Sequence, residues 1–508
     1  MSSPRNRRRL GKAATLIVVV GLGLAACSNS SDDSSADSSE ATTATTVAVE
    51  PESTEVEDAD TVPADTAPAD TAPADTGATT DTAGSSATSE PEADAGPDLG
   101  EFAPISGVPG VTDEAIQYAV LGTGPSNPAG YCLLECYLGG VQAYFDYRNS
   151  IGGVHGRQLE ISHEVDDELA NTQVELLELI GSDDVFGTFF APLIPSGHED
   201  ANAARMPIYT LVQGGPEGAG FDNVYIPAIF CADCLRKSVV HQAELLGATK
   251  VASLGLGVSQ ASKDCVAATQ KAFDQWGPDV GIEFVYANDT LPFGLTNGLA
   301  PEVTAMKEAG VDFVTLCIDQ NGALTLEQEL NRQGMAEIPV LLPQGYGDTE
   351  FVEANAELLE GDVLSLFSRP FEANQEGTLV PEMIEWMDAG GYKMNDQAIQ
   401  GWINADMAVS GLLAAGPQFD RDSVIQATNA ITAYDASGVV PTIDWTKQHT
   451  RYTGETMLTD GPPVSCTALV KIEGGKFVLI GNPDAPYYAY DSSTMDWTEP
   501  TESDCRAD

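Results

Sequence analysis

Between Ala115 and Gly345 short apolar runs alternate with amphipathic stretches, and this alternation most limits the folds open to the chain. "AIQYAVLGTG" reads as a strand, and "LGGVQAYFDYRNSIGG" as an amphipathic helix closed by glycine. The series continues as "RQLEISHEVDD" strand, "ANTQVELLELIG" helix, "VFGTFFAP" strand, "PSGHEDANAARM" helix and "PIYTLV" strand. A second series follows: "CLRKSVVHQAELLGA" helix, "KVASLGLG" strand, "CVAATQKAFDQWG" helix, "IEFVYAND" strand, "PEVTAMKEAG" helix, then "VDFVTLCID" and "PVLLPQG" strands. Such alternation predicts an α/β fold with parallel sheets, and two series predict two doubly wound sheets. Residues 107–500 are more than one core usually supports, so two lobes are expected.

The N-terminus has Arg5, Arg7, Arg8, Arg9 and Lys12 ahead of an apolar run from Ala13 to Ala26, too short to span a membrane as a mature helix. This is the pattern of a bacterial export signal, residues 1–26. The run ends in "LAAC", Leu24 to Cys27, which resembles the lipobox of bacterial lipoproteins, where the cysteine receives diacylglycerol before the signal is removed. That resemblance implies lipidation of Cys27 and a mature chain on the extracytoplasmic face of a bacterial membrane. Residues 27–106 form an acidic Ser/Thr/Ala/Pro linker, with "TVPADTAPADTAPAD" repeating a five-residue unit from Thr61 to Asp75. It has too little apolar surface to offset the entropy of ordering.

Charge narrows the function classes. Lys plus Arg number 23 against 77 Asp plus Glu, for a net charge of −54. Such a surface repels nucleic acid and anionic lipid, so neither is an expected partner.

The first strand with its Gly-rich loop, the long helix and then "NSIGGVHGRQLEI" resemble type I periplasmic substrate-binding proteins of the leucine/isoleucine/valine-binding group. Gly152, Gly153 and Gly156 let the helix stop and the chain reverse into the second strand. The resemblance implies two lobes joined by three crossovers, with a small molecule held between them. Lobe one maps to about 111–226 and 368–434, lobe two to about 227–367 and 435–500. The helices "EGTLVPEMIEWMDAGG" and "AIQGWINADMAVSGLLAAG" suit the return segment, and "CTALVKIEGGKFVLIG" closes lobe two as a hairpin.

Ligand is expected at the carboxyl ends of the parallel strands, where helix N-termini point their amides. Lobe one offers "GTGPSNPAGY" with Thr123, Gly124 and Tyr131, "APLIPSG" with Ala191 and Pro192, and "VQGGPEG" with Gln213 and Gly214. Lobe two offers "GVSQASKD" with Gln260, "CIDQNGA" with Asp319 and Gln320, and "PQGYGD" with Gln344 and Tyr346. Amino-acid-binding members of the family surround the ligand carboxylate with hydroxyl and amide groups. Here Ala191 and Pro192 replace a usual Ser-Ser pair, and neutral Gln344 stands where an acidic group takes the amino group, with Asp319 nearby. A neutral or amide-bearing ligand is therefore favoured over an unmodified α-amino acid. Polar residues at strand ends are equally common as solvated loop residues. Trp402 is assigned to the core and Tyr346, between two glycines, to the cleft.

No G-x-S-x-G, H-E-x-x-H or P-loop motif is present, and His155, His163, His198, His241 and His449 are scattered, so neither an enzyme nor a cofactor is expected. "HEVDDE" reads as a strand ending in an acidic loop rather than a metal site. Cys27 aside, eight cysteines remain in an exported chain, and four disulfides are expected. Cys265 with Cys317 would be a long-range pair, and Cys466 with Cys505 would pin the tail. Cys231 and Cys234 fit a local bridge at a helix start, whereas Cys132 and Cys136 on a regular helix need distorted backbone. Four thiolates meeting around zinc remain an alternative for these two couples. The resemblance implies a lipid-anchored binding protein that delivers a small molecule to an ABC-type permease. The alternatives are a membrane-tethered sensor of the same fold and a metal-binding protein using the clustered cysteines.

Overall fold

The computed structural model describes residues 98–507 apart from 126, 128, 212–217, 229–230 and 232–233. The export signal, Cys27, the linker to residue 97, Gln213 and Gly214 lie outside the described residues. No helix among the described residues is long and apolar enough to cross a membrane.

Strand β1 (Ala115–Gly122) is buried along almost its whole length, as a central parallel strand covered on both faces must be. It is followed by α1 (Leu134–Ser150), β2 (Gln158–Asp166), α2 (Thr172–Ser182), β3 (Gly187–Ala191), α3 (His198–Ala203), β4 (Ile208–Thr210) and β5 (Val224–Tyr225). These strands pair in parallel in the order β2-β1-β3-β4-β5. The second series is α4 (Lys237–Leu245), β6 (Lys250–Leu256), α5 (Gln260–Val280), β7 (Glu283–Leu291), α6 (Ala300–Ala309), β8 (Phe313–Cys317), α7 (Gln320–Arg332), β9 (Val340–Leu341), α8 (Thr349–Ala354) and β10 (Val363–Leu366). Its parallel part repeats the first order as β7-β6-β8-β9-β10. The winding therefore reverses between β1 and β3, and again between β6 and β8.

The chain then returns to the first layer. Helices α9 (Val380–Gly390) and α10 (Asp396–Ala415) pack on α1, and α11 (Arg421–Thr428) packs on α10. Arg421 fastens α11 to the first sheet by donating to the carbonyls of Phe186 at 2.9 Å and Val185 at 2.7 Å. After α12 (Trp445–Gln448) and α13 (Gly454–Asp460) come β11 (Val464–Glu473), β12 (Lys476–Ile480), β13 (Tyr487–Asp491) and β14 (Thr501–Ser503), all on the second sheet. The chain thus crosses between the layers three times. The second sheet is parallel from β7 to β10 and is extended by an antiparallel part, in which β11 runs antiparallel to β10 and pairs antiparallel with β12 and β13. The Gly474-Gly475 turn joining β11 to β12, with φ of 57° and 73°, permits only a hairpin.

Local signals explain several boundaries. Gly153 has φ 75°, and a Cβ there would lie 2.0 Å from the Arg157 carbonyl, so the reversal into β2 requires glycine. Helix α5 extends beyond its expected span at both ends, because the Ser259 side chain caps it at Ser262 N and Gly281 ends it in the left-handed region. Helix α4 begins three residues after Cys234, since Arg236 is extended, and the Cys231 backbone pairs with that of Tyr452 in an isolated parallel β-ladder contact.

The first layer is held by a row of aromatic rings. Tyr118 packs on Phe145 and Phe189, and Phe189 leads through Tyr209 to Tyr225 at centroid distances of 5.1 to 5.7 Å. Trp402 is fully buried on α10, edge-on to Tyr144. Asn404 of the same helix donates to the Tyr137 hydroxyl at 2.7 Å and to the Thr210 carbonyl at 3.0 Å. The chain docks on this layer from Leu99 onward: Arg157 is fully buried and donates to the carbonyls of Thr112 and Ala103, both at 2.7 Å.

Among the described residues four disulfides are present: Cys132–Cys136, Cys231–Cys234, Cys265–Cys317 and Cys466–Cys505. Cys132 lies two residues ahead of α1, so its bridge to Cys136 spans a Cα separation of 5.5 Å without distorting the regular helix.

Candidate ligand-binding site

The carboxyl ends of the two sheets meet at a polar seam built by four segments. The loop after β1 brings Gly130, Tyr131 and Cys132, and the start of α7 brings Asp319 and Gln320. The loop after β9 supplies Gln344, Gly345 and Asp348, and the start of α10 supplies Lys393, Asn395, Asp396 and Gln397. Nine of these residues, together with Cys132, leave a cavity of about 50 Å³ between them, Tyr131 and Asp319 being outside its lining. That volume holds a few waters and is well below the ~300 Å³ of a typical small-molecule site, so admitting a ligand requires the loops to part.

Direct bonds stitch the seam. The Asp396 carboxylate accepts from the amides of Gly345 at 2.6 Å and Tyr346 at 3.0 Å. Gln397 donates to the Gln344 side-chain oxygen at 2.7 Å, and Lys393 pairs with Asp348 at 2.7 Å. Burial pushes the Asp396 carboxyl up to about 6, although the two amides it accepts from act the other way. The Tyr131 hydroxyl meets the Gln320 main-chain amide, and burial together with the nearby Asp319 raises its pKa above the ordinary tyrosine range. Gly130 is packed so closely that a Cβ would lie 2.4 Å from the Asn321 side chain.

The other residues singled out from the sequence have different surroundings. Thr123 is buried and its hydroxyl accepts from the Leu193 amide at 2.7 Å, tying the loop after β1 to the loop after β3. Gly124 donates from its amide to Asp166, and a Cβ there would lie 2.2 Å from that carboxylate. Ala191 ends β3, and both it and Pro192 are buried. The Asp319 carboxylate caps α7 by accepting from Gly322 N at 2.9 Å, which leaves it less free for a ligand. Gln260 is exposed and donates to Asp264 within its own helix. Tyr346, expected at the cleft, is fully buried against Phe371 and Phe477, with its hydroxyl bonded to Glu372 at 2.9 Å.

Sequence reasoning missed Asp348, Lys393, Asn395, Asp396 and Gln397. The "NDQ" run opening α10 was the available signal, since Asn395 caps the helix by accepting from Ala398 N. A larger groove of about 280 Å³ lies between the end of α5 and Met495 to Trp497, but that helix end faces the amino ends of the strands and the groove is open to solvent. The topology therefore favours the smaller cavity at the seam.

Comparison with known proteins agrees with this geometry. Among curated proteins none matches the chain by sequence. Among solved structures, a substrate-binding periplasmic protein from Ralstonia solanacearum is similar at 17% identity and a TM-score of 0.55, over 72% of this chain and 100% of that one. A solute-binding protein of an R. palustris ABC transporter, solved in complex with benzoate, is 18% identical with a TM-score of 0.54, over 73% of this chain and 97% of that one. The branched-chain amino acid transporter substrate-binding protein LivJ from Streptococcus pneumoniae, in complex with isoleucine, is 17% identical with a TM-score of 0.55, over 72% and 99%. At these identities the likeness carries the fold alone. The family profile described as periplasmic binding protein matches residues 123–476, more than half of the chain and all four segments of the seam, and the chain belongs to this non-enzymatic family of extracytoplasmic binding proteins.

Proposed function

We propose that this chain captures a small neutral or amide-bearing molecule between two lobes and delivers it to an ABC-type permease while tethered to the membrane through lipidated Cys27. Lobe one comprises about residues 111–226 and 368–434, and lobe two about 227–367 and 435–500. The observation that carries the reading is the polar lining of the seam cavity, where Gln320, Gln344, Asn395 and Gln397 offer amide donors and acceptors together.

Charge supports the ligand class. The R. palustris and S. pneumoniae proteins were solved with benzoate and isoleucine, and each of those ligands carries a carboxylate. Here the one basic residue among the described lining, Lys393, is already paired with Asp348, and Asp396 adds a buried carboxyl. An anionic ligand would face these carboxylates without a free cation, whereas an amide would meet complementary partners.

Native mass spectrometry of the protein as purified should detect a retained small molecule, and calorimetry should rank amides above the matching carboxylates. Gln344→Ala should weaken binding. Tight binding of simple carboxylates that is indifferent to Gln344→Ala would refute the ligand class, and unchanged uptake after gene deletion would refute delivery to an importer.

A further inference from the structure

A second group of ligating side chains lies on the opposite end of the second sheet from the seam. His241 and Glu244, three residues apart, share one face of α4, whose last turn leads into the start of β6. Glu499 reaches them from the irregular segment between β13 and β14. One imidazole nitrogen and one carboxylate oxygen from each glutamate all lie within 4.8 Å of one another.

Four further observations distinguish this group from a chance gathering of surface acids. The His241 ring is 3% exposed and held edge-on by Tyr488 and Tyr490, at centroid distances of 4.7 and 5.8 Å. Its Nδ1 is bonded to the Tyr490 hydroxyl at 3.0 Å, which fixes the ring and leaves Nε2 as the remaining ligand atom. The Glu244 Oε2 is fully buried without a hydrogen-bond partner. Among the described residues no basic side chain forms an ion pair with either glutamate, so two like charges converge beside a buried imidazole.

We propose that His241, Glu244 and Glu499 bind a divalent transition-metal ion of the Zn²⁺ type, which clips the C-terminal segment onto α4. One imidazole and two carboxylates suit such an ion. Bonds of about 2.0–2.2 Å require the three donors to draw closer together, and the irregular segment bearing Glu499 is free of the sheet pairing that would resist this. Three protein ligands leave a further position for water, and the clip complements the Cys466–Cys505 bridge, which holds the chain just beyond β14. The sequence spacing gave no warning, because the third ligand is remote in the chain from the other two.

The test uses the full chain, freed of any affinity tag and treated with chelator, then titrated with Zn²⁺ by calorimetry and followed by thermal unfolding and amide exchange. One Zn²⁺ per chain should bind, raise the unfolding temperature and slow exchange over residues 492–500. Glu499→Gln, on an exposed side chain that leaves the core untouched, should weaken binding by more than about tenfold and abolish both effects. Tyr490→Phe, which retains the ring packing, should weaken binding by about tenfold through loss of the ring-orienting bond. Absence of stoichiometric binding to the wild-type chain, or Zn²⁺ binding that Glu499→Gln leaves unchanged, would overturn the proposal.

Discussion

The Gly345 amide donates to the Asp396 carboxylate at 2.6 Å, and this bond joins the loop after β9 to the first turn of α10. The same oxygen accepts from Tyr346 N at 3.0 Å, so one buried carboxylate satisfies two amides of the seam. Asp396→Ala would leave both donors buried and unpaired, at a cost of about 1–3 kcal/mol each. Asp396→Asn retains an acceptor oxygen and should recover most of that loss. Urea unfolding of the two variants checks this, and equal destabilisation by both would show that the charge, not the acceptor, matters.

Glu327 on α7 and Asp362 just ahead of β10 form a buried carboxyl pair, and each has an oxygen without a partner. Burial pushes Glu327 up to about 8, and burial with the neighbouring Glu327 charge raises Asp362 well above the carboxylate range. Folding therefore takes up protons at these sites. Their contribution to stability is present at low pH and is lost as pH rises towards about 8. Below pH 6.5 the buried His198 and His241, each pushed down to about 4, work in the opposite sense, and Asp396 and Asp406 titrate near 6. The interval from about pH 6.5 to 8 thus lies above the titration of these four groups and within that of Glu327. Thermal stability should fall across it, and Glu327→Gln should flatten the slope.

The elements most legible in the sequence are those whose signal is local. The α1 stripe ends at a turn where only glycine fits at Gly153, and the β11–β12 hairpin is written in Gly474 and Gly475. Strands such as β5 (Val224–Tyr225) are too short to show periodicity and exist because a neighbouring strand pairs with them. Tyr346 misled for a related reason. Gly345 and Gly347, with φ of 125° and 82°, mark a turn, but the ring's burial depends on Phe371, Glu372 and Phe477, all distant in sequence. Asp396 reads locally as an acidic residue in a first helical turn, and its function in the seam is set by amides some fifty residues earlier.

Membrane attachment should depend on Cys27, because in "LAAC" its thiol is the group that can accept diacylglycerol. Cys27→Ser should leave the distant lobes folded and move the protein from the membrane fraction to the soluble one. Acyl labelling that persists in the variant would rule the anchor out.

The disulfides should separate stability from binding. In the chain-entropy description, the Cys265–Cys317 loop, with a separation of 52 residues, contributes about 4 kcal/mol, whereas the Cys132–Cys136 loop, with a separation of 4, contributes only about 2 kcal/mol. The short bridge has a different consequence. It fixes the entry into α1 directly after Tyr131, whose hydroxyl meets the Gln320 amide across the seam, and Asn127 holds the Tyr131 carbonyl at 2.7 Å from the other side. Replacing Cys132 and Cys136 by serine frees that loop while leaving the aromatic core of the first layer intact. The double variant should therefore unfold at a temperature nearer the wild type than the Cys265→Ser/Cys317→Ser variant does, yet lose more of its affinity for ligand. Calorimetric unfolding and ligand titration on the two variants decide the matter. Full retention of affinity in the Cys132/Cys136 variant would mean that Tyr131 is positioned by its packing alone.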